Sequence, residues 1–360
     1  MGSLQLKNKV GKTIQFPEGA DLKRAISEKY GTKAADNASS YHFRHYLGEQ
    51  GVTRKDVLRA LGYDNVKNIQ VRELLENDGT KPLFNSIVED GLRIGFERDS
   101  NWQQLVAETI PTDQFSYLWY YLDTGATPEE KEEMFGLRDV GQGAPIPTGS
   151  IKVGENSIKM SKRGRGLEWT DESKRANISL VSLWLRQLGR QLGRQYEGVA
   201  VNRLLNGYFA DGTDAAPTVG VANAGSWDLS DIFYAAAYQE ETLGYRPNRA
   251  IMNLETAYRI TTMRDGDAYL YRNEIENNQF ADVLNNKPFI SEQIPDNRIV
   301  LVDTSAALVR YQGKAFGVES DRNVKTQVEG SYGTEISEFV PFIPEARIIM
   351  TLDEARPSIT

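Results

Sequence analysis

Between residues 21 and 78 the apolar positions recur at three- and four-residue intervals in short runs, each closed by a glycine. DLKRAISEKYG stops at Gly31, TRKDVLRALG opens on Thr53 and stops at Gly62, and NIQVRELLENDG stops at Gly79. A threonine oxygen can accept from the free N–H groups of a first turn, and a glycine accepts the left-handed backbone that ends a helix. The spacing therefore predicts several short helices. Residues 82–110 continue the helical pattern as one amphipathic stretch, with Pro82 suited to a helix start. In QFSYLWYYLD the period changes to two. Phe115, Tyr117, Trp119 and Tyr121 alternate with Ser116, Leu118, Tyr120 and Leu122, so an extended strand would be largely apolar on both faces and belong in a core or an interface. TPEEKEEMFG, which follows, reads as a solvated acidic segment.

Over 146–168 the alternation of Ile151 with Val153 before Gly154-Glu155-Asn156, and of Ile158 with Met160 after it, predicts a β-hairpin turning at those three residues. Its flanks are rich in Gly, Lys and Arg and offer no core of their own. An isolated two-stranded hairpin is marginal in water, so this one is expected to lie against a neighbouring copy. The longest helix follows, expected over 171–206, with Thr170 as N-cap and Ile178, Val181, Leu185, Leu188, Leu192 and Val199 at three-to-four spacing. Within it RQLGRQLGRQ puts Arg186, Arg190 and Arg194 on one stripe and Gly189 and Gly193 on another. Each mid-helix glycine costs about 1 kcal/mol relative to alanine, so the glycines point to a second backbone packed very close. Beyond the loop at 211–225, residues 226–312 alternate helix and strand patterns, and the remaining tail is β-like with Gly and Pro punctuation.

Composition narrows the function. Cysteine is absent, which removes disulfides, thiol nucleophiles and thiolate metal sites. The two histidines, His42 and His45, would need carboxylates from elsewhere to hold a metal and read better as packing or surface residues. No phosphate loop of the GxxxxGK[ST] type and no GxSxG elbow occurs. No stretch approaches the ~18 uninterrupted apolar residues of a membrane span, and no secretory h-region is visible, so the chain is expected to be made in a cytosol. The net charge of −8 hides segregation: residues 1–100 carry +2, 101–148 carry −6, 149–206 carry +6 and 207–360 carry −10. An acidic chain does not coat nucleic acid, whereas a basic middle between acidic flanks can attract and register copies of itself. The short helices around TRKDVLRALGY lack the basic stripe that DNA reading needs. A chain of this length without a nucleophile constellation, metal cluster or phosphate loop points away from an enzyme and towards a structural protein.

The order of parts from residue 138 onward resembles the major capsid proteins of tailed bacteriophages, the Hong-Kong-97-type shell fold. The glycine- and lysine-rich hairpin running into GLEWTDE looks like the junction between that family's extended loop and its spine helix. VNRLLNG is similar to the close of such helices. YRPNRAIMNLETAYRITTMRDGDAYL resembles its strand–helix unit, and VLNNKPFISEQIPDNRIVLVDTSAALVRY its passage from Lys-Pro to strand and Asp. The resemblance implies an α+β capsid fold with an N-terminal arm, an extended β-hairpin loop, a peripheral domain with a long spine helix, and an axial α/β domain. On this chain it implies a helical N-terminal segment at 1–81, an N-arm leading into the peripheral domain at 82–145, and the extended loop at 146–168. The peripheral spine helix would lie at 169–221, the axial domain at 222–312 and further peripheral β-strands at 313–360. In this family a segment such as 1–81 serves as a built-in scaffold, is removed by a protease, or remains as an arm.

The implied function is that of a major capsid protein, a non-enzymatic subunit self-assembling into the hexamers and pentamers of an icosahedral head around double-stranded DNA. It implies no cofactor or metal and no membrane, with packaged DNA held on the inner face without sequence specificity. The implied partners are copies of the chain, portal protein, scaffold, maturation protease and a decoration protein, with assembly in the host bacterial cytoplasm. Expected inter-subunit contacts are Ile151, Val153, Ile158 and Met160 of the hairpin, Arg163 and Arg165 beside it, and Arg186, Arg190 and Arg194 of the helix. Deleting 148–166 is expected to leave folded subunits that no longer close into shells. Two other readings stand beside this one: an encapsulin-type nanocompartment shell, and a carbohydrate-active hydrolase using an unseen carboxylate pair and the aromatic row around Trp119.

Overall fold

The computed structural model describes residues 3–8, 11–32, 39–62, 69–75, 80–98, 101–114, 116–122, 151–170, 172–265, 267–277, 279–282, 286–323 and 328–356. They divide into two compact units. One comprises Met1–Gln103, Ser161–Tyr196 and Lys314–Ser337; the other comprises Gln104–Met160, Glu197–Gly313 and Glu338–Thr360.

The first unit begins with a hairpin, Ser3–Lys7 antiparallel to Thr13–Pro17, whose Leu6 and Phe16 are buried. Among the described residues, helices follow at Gly19–Tyr30, Ser40–Gln50, Arg54–Ala60 and Val71–Leu75. Thr53 accepts from the backbone N–H of Asp56, and the Asp56 carboxylate accepts from the N–H of Thr53, forming a reciprocal capping box. Gly31 and Gly62 end their segments with positive φ of 93° and 85°, although Gly31, with ψ of 158°, is not a left-handed cap.

The amphipathic stretch from residue 82 is not one helix. Lys81–Arg93 is helical, with Pro82 in its first turn; Ile94–Arg98 widens into a π-type turn, Trp102–Leu105 forms a short 3₁₀ turn, and Glu108–Pro111 is a strand. The widened turn sits against the long helix Ile178–Asn206, whose 29 residues span about 43 Å. A β-carbon on Gly95 would lie 2.1 Å from the carbonyl oxygen of Arg186, and one on Gly189 would lie 2.1 Å from that of Leu92. The two backbones meet where only glycine fits.

That long helix starts at Ile178, later than its sequence pattern suggested. Ala176 is extended because Asn177 bridges to Gln70: the N–H of Val71 donates to Ala176 O at 3.1 Å, and that of Ile178 to Ile69 O at 3.0 Å. Ile178, Val181, Leu185 and Leu192 are buried, as their spacing required, and Leu188 and Val199 are half-buried.

The expected hairpin at 146–168 is replaced by two strands with different partners. Ile151–Lys159 runs straight through Gly154-Glu155-Asn156 and pairs antiparallel with Ser116–Leu122, from Ser116 opposite Lys159 to Leu122 opposite Ile151. Leu118 faces Ser157 while Tyr120 faces Val153, so the three turn-forming residues take up a register shift instead of a reversal. Ser161–Trp169 pairs antiparallel with residues 329–337 of the strand Val328–Pro341. Positions 146–150 lie outside the described residues.

In the second unit a five-stranded sheet runs in the order Lys287–Ile290, Arg249–Met252, Arg298–Val302, Arg347–Ala355, Thr218–Val221. The outer pairs are parallel and the inner pairs antiparallel. Helices Leu229–Glu241 and Leu254–Thr261, capped by the side chains of Asp228 and Asn253, accompany it. Trp227, Ile232, Ala250, Ile260, Ile299, Leu301, Ile348 and Met350 share its core. The sequence grouped the whole tail from 313 with the peripheral strands, but it divides: Arg347–Ala355, buried from Arg347 to Leu352, is a central strand of this sheet, against Arg298–Val302. TSAALVRY leads into the long strand Leu308–Asn323, whose start pairs in parallel with Glu108–Pro111. A smaller core joins Trp119, Ile158, Val309, Tyr311 and Val340. Following the long helix in the chain, the Asp214 carboxylate accepts from the N–H groups of Tyr208 and Phe209, and the fully buried Arg347 donates to Asp214 O. Burial pulls the Arg347 guanidinium down to about 10.

Candidate assembly surface

The long helix has two unlike faces. Inward it presents Val181, Leu185, Gly189, Leu192 and Tyr196, all buried. Around Tyr196 the rings of Phe96, Trp102 and Phe316 collect, with Phe96 edge-on to Tyr196 at 4.8 Å, and the Tyr196 hydroxyl donates to Glu335 Oε2 at 3.0 Å. The i, i+3, i+4 spacing puts Leu180, Leu183 and Trp184 on the opposite face. They are 44%, 66% and 56% exposed, whereas Trp102, Trp119, Trp169 and Trp227 are buried. Towards the C-terminal end the same face turns polar and basic: Gln187, Arg190, Gln191, Arg194 and Gln195 are exposed, with exposed Arg186 on its flank. An apolar patch with an aromatic anchor, continued by arginines, has the composition of a protein–protein contact.

The other expected contact residues fall differently. Ile158 is fully buried in the cluster with Trp119, Val309, Tyr311 and Val340, so it is a core residue of its own subunit. Met160 is half-buried against the same cluster. Removing 148–166 would therefore take out core as well as loop. The side chains of Ile151 and Val153 lie outside the described residues. Arg163 is turned onto its own chain, donating to Ser337 O, with its guanidinium 5.7 Å above the Tyr196 ring. Arg165, opposite Gly333 in the strand pairing, is exposed. The arginines of strand and helix thus separate into one inward group and several outward ones.

The glycines of KRGRG have a structural role. A β-carbon on Gly164 would come within 2.7 Å of Gly333 O, and one on Gly166 within 2.3 Å of the Tyr332 ring, which also covers Gly330. The aromatic row is likewise structural. Trp119 packs on Phe209 at 5.0 Å and Tyr117 on Tyr311 at 5.3 Å, so Trp119 is not presented for stacking a sugar. His42 and His45 share the helix Ser40–Gln50 and both rings lie on Tyr30, at 5.2 and 6.1 Å. His42 Nδ1 is 2.9 Å from Ser39 Oγ, and burial holds its pKa below the usual value. Among the described residues no group of three or more acidic or histidine side chains is placed to hold a metal ion, and no helix is long and apolar enough to cross a membrane.

Comparison with known proteins places these features. Residues 154–337, slightly more than half of the chain, match the family described as "Phage capsid protein". The match starts inside the strand Ile151–Lys159, takes in the long helix and the five-stranded sheet as far as Arg298–Val302, and ends within Val328–Pro341. Among solved structures, the capsid of a native GTA particle superposes with a TM-score of 0.52 at 13% identity, covering 69% of this chain and 88% of its own. The virus-like particle from Pyrococcus furiosus gives 0.49 at 11% identity, covering 73% and 97%. Gordonia phage Cozz gives 0.47 at 18%, covering 69% and 85%. No curated protein matches the sequence. The particle capsid shows that the fold is a capsid fold, the family match falls on the elements that build it, and the chain belongs to the phage capsid proteins.

Proposed function

We propose that this major capsid protein closes its shell as hexamers and pentamers, and that the outward face of the long helix is one surface through which copies meet. The observation that carries the assignment of that face is the exposure of Leu183 and Trp184, at 66% and 56%, on a helix whose other side is packed. Burying a leucine fully is worth about 1.5–3 kcal/mol, and tryptophan and arginine dominate binding hot spots. A contact of that size is modest for one pair of subunits but is repeated at every equivalent position of a shell.

In this reading the chain catalyses nothing, and an acidic wall encloses double-stranded DNA without gripping it. Portal, scaffold, maturation protease and decoration protein act as separate chains during assembly in the host cytoplasm. Leu183→Asp and Trp184→Glu are expected to leave the subunit folded, with an unfolding midpoint within a few degrees of wild type, because both side chains already face water. Negative-stain electron microscopy after size-exclusion chromatography is expected to show dispersed subunits in place of closed shells. Shells at wild-type yield from both variants would remove this face from the assembly contact.

A further inference from the structure

The capsid family match begins at residue 154 and assigns nothing to the N-terminal segment. We propose that residues 3–75 are neither a departing scaffold nor a cleaved leader, but a permanent domain of the subunit that anchors the start of the long helix and stays in the finished shell. The proposal rests on the capsid reading only for the word shell; the anchoring belongs to the subunit itself.

The described part of the segment buries its apolar side chains, with the helix Ser40–Gln50 packed on Lys81–Arg93. Leu6, Phe16, Leu22, Ile26, Phe43, Leu47, Val57 and Leu58 are all buried, and Phe16 meets Tyr46 edge-on at 5.9 Å. Two of its attachments go to main-chain groups. Ile69 O receives the N–H of Ile178, the first residue of the long helix, and the N–H of Val71 reaches Ala176 O. The first N–H groups of a helix have no partner within it, so the segment supplies one.

A second attachment is the Ser40 hydroxyl, fully buried, which donates to Val318 O at 3.0 Å and accepts from Val318 N–H at 2.9 Å. One side chain thereby completes both main-chain groups of a residue in the strand Leu308–Asn323. The third is ionic. Arg44 pairs with Glu89, whose side chain is 2% exposed, while Arg54 pairs with Asp90 and donates to Ser86 O at 2.6 Å. Helix Lys81–Arg93 therefore carries two carboxylates whose counter-charges come from the N-terminal domain. Excision would leave the helix start, the Val318 main chain and both carboxylates without these partners.

Peptide mapping of subunits from purified, DNA-filled particles tests retention. Peptides covering residues 3–75 are expected at the same abundance as those from 178–206, and particles built of chains beginning near residue 80 would overturn the proposal. Hydrogen exchange on the soluble full-length chain tests the anchoring without any shell. In wild type the amides of Phe43, Leu47 and Val57 are expected to be as protected as that of Leu185. In Ser40→Ala the amide of Val318 is expected to exchange at least tenfold faster. Exchange of the whole 3–75 segment within seconds, or an unchanged Val318 in Ser40→Ala, would overturn the anchoring even if the particles prove to be capsids. A chain that never assembles would sink the capsid reading and leave the exchange result to decide the anchoring.

Discussion

At Gly189 a single methyl group sets two expectations against each other. Alanine is worth about 1 kcal/mol more than glycine inside a helix, so propensity alone favours the substitution. Yet the new carbon would lie 2.1 Å from Leu92 O and 3.0 Å from Gly95 Cα, and backbone cannot swing aside as a side chain can. Overpacking of this kind costs about 1–3 kcal/mol or more, so Gly189→Ala is expected to lower the urea midpoint. Gly48, also within a helix, would place its β-carbon in open space, so Gly48→Ala is expected to raise the midpoint slightly. Equal shifts for the two would mean that the contact at Gly189 yields freely. The repeat RQLGRQLG made this close approach legible, because two glycines four apart in a helix need a reason. Ile158 shows the opposite limit: an apolar residue in an alternating run reads the same whether its neighbour is its own core or another copy, and only its burial beside Trp119 decides.

At the scale of elements, local signals were read well and distant pairings were not. The helices Gly19–Tyr30 and Arg54–Ala60 and the helix–strand alternation of 229–302 depend on neighbours within a few residues, and they form where expected. Gly154-Glu155-Asn156 is a turn by propensity, but the strand it interrupts finds Ser116–Leu122 from far upstream and runs on. Strand pairing is set by packing across the sheet more than by intrinsic preference. The next strand keeps two glycines for different reasons, which gives an ordering. At Gly164 a side chain would strike Gly333 O, which is backbone; at Gly166 it would strike the Tyr332 ring, whose 39% exposure leaves it room to turn out. Gly164→Val is therefore expected to cost more stability than Gly166→Val, the latter limited to a lost cross-strand contact of roughly 0.2–1 kcal/mol. Denaturant midpoints in the reverse order would mean that the Tyr332 ring, not the backbone, is the rigid partner.

For the whole molecule, the order of parts carried the capsid assignment, because the sequence of strand, long helix and α/β elements survives where identity to a superposable capsid has fallen to 13%. The helical N-terminal segment at 1–81 was legible, but its attachments at Val318, Glu89 and Ile178 were not, since they join residues remote in sequence. What holds copies together is a contest between two features that sequence and structure each supply. Segregated charge, +6 over 149–206 against −10 over 207–360, favours attraction through Arg190 and Arg194, while Leu180, Leu183 and Trp184 favour apolar contact. Exposed ion pairs are worth about 0.2–1 kcal/mol each, and screening shortens their reach from about 10 Å at 0.1 M salt to about 3 Å at 1 M. Scaled from about 1.5–3 kcal/mol for a fully buried side chain, covering the exposed parts of these three is worth roughly 2.5–5 kcal/mol and is not screened. The apolar contribution is the larger, so preformed shells are expected to survive 1 M NaCl. The charges act instead on encounter, so the assembly rate followed by light scattering is expected to fall as salt rises. Shells that dissolve at 1 M NaCl would reverse this ranking and put the arginines, not Trp184, at the centre of the contact.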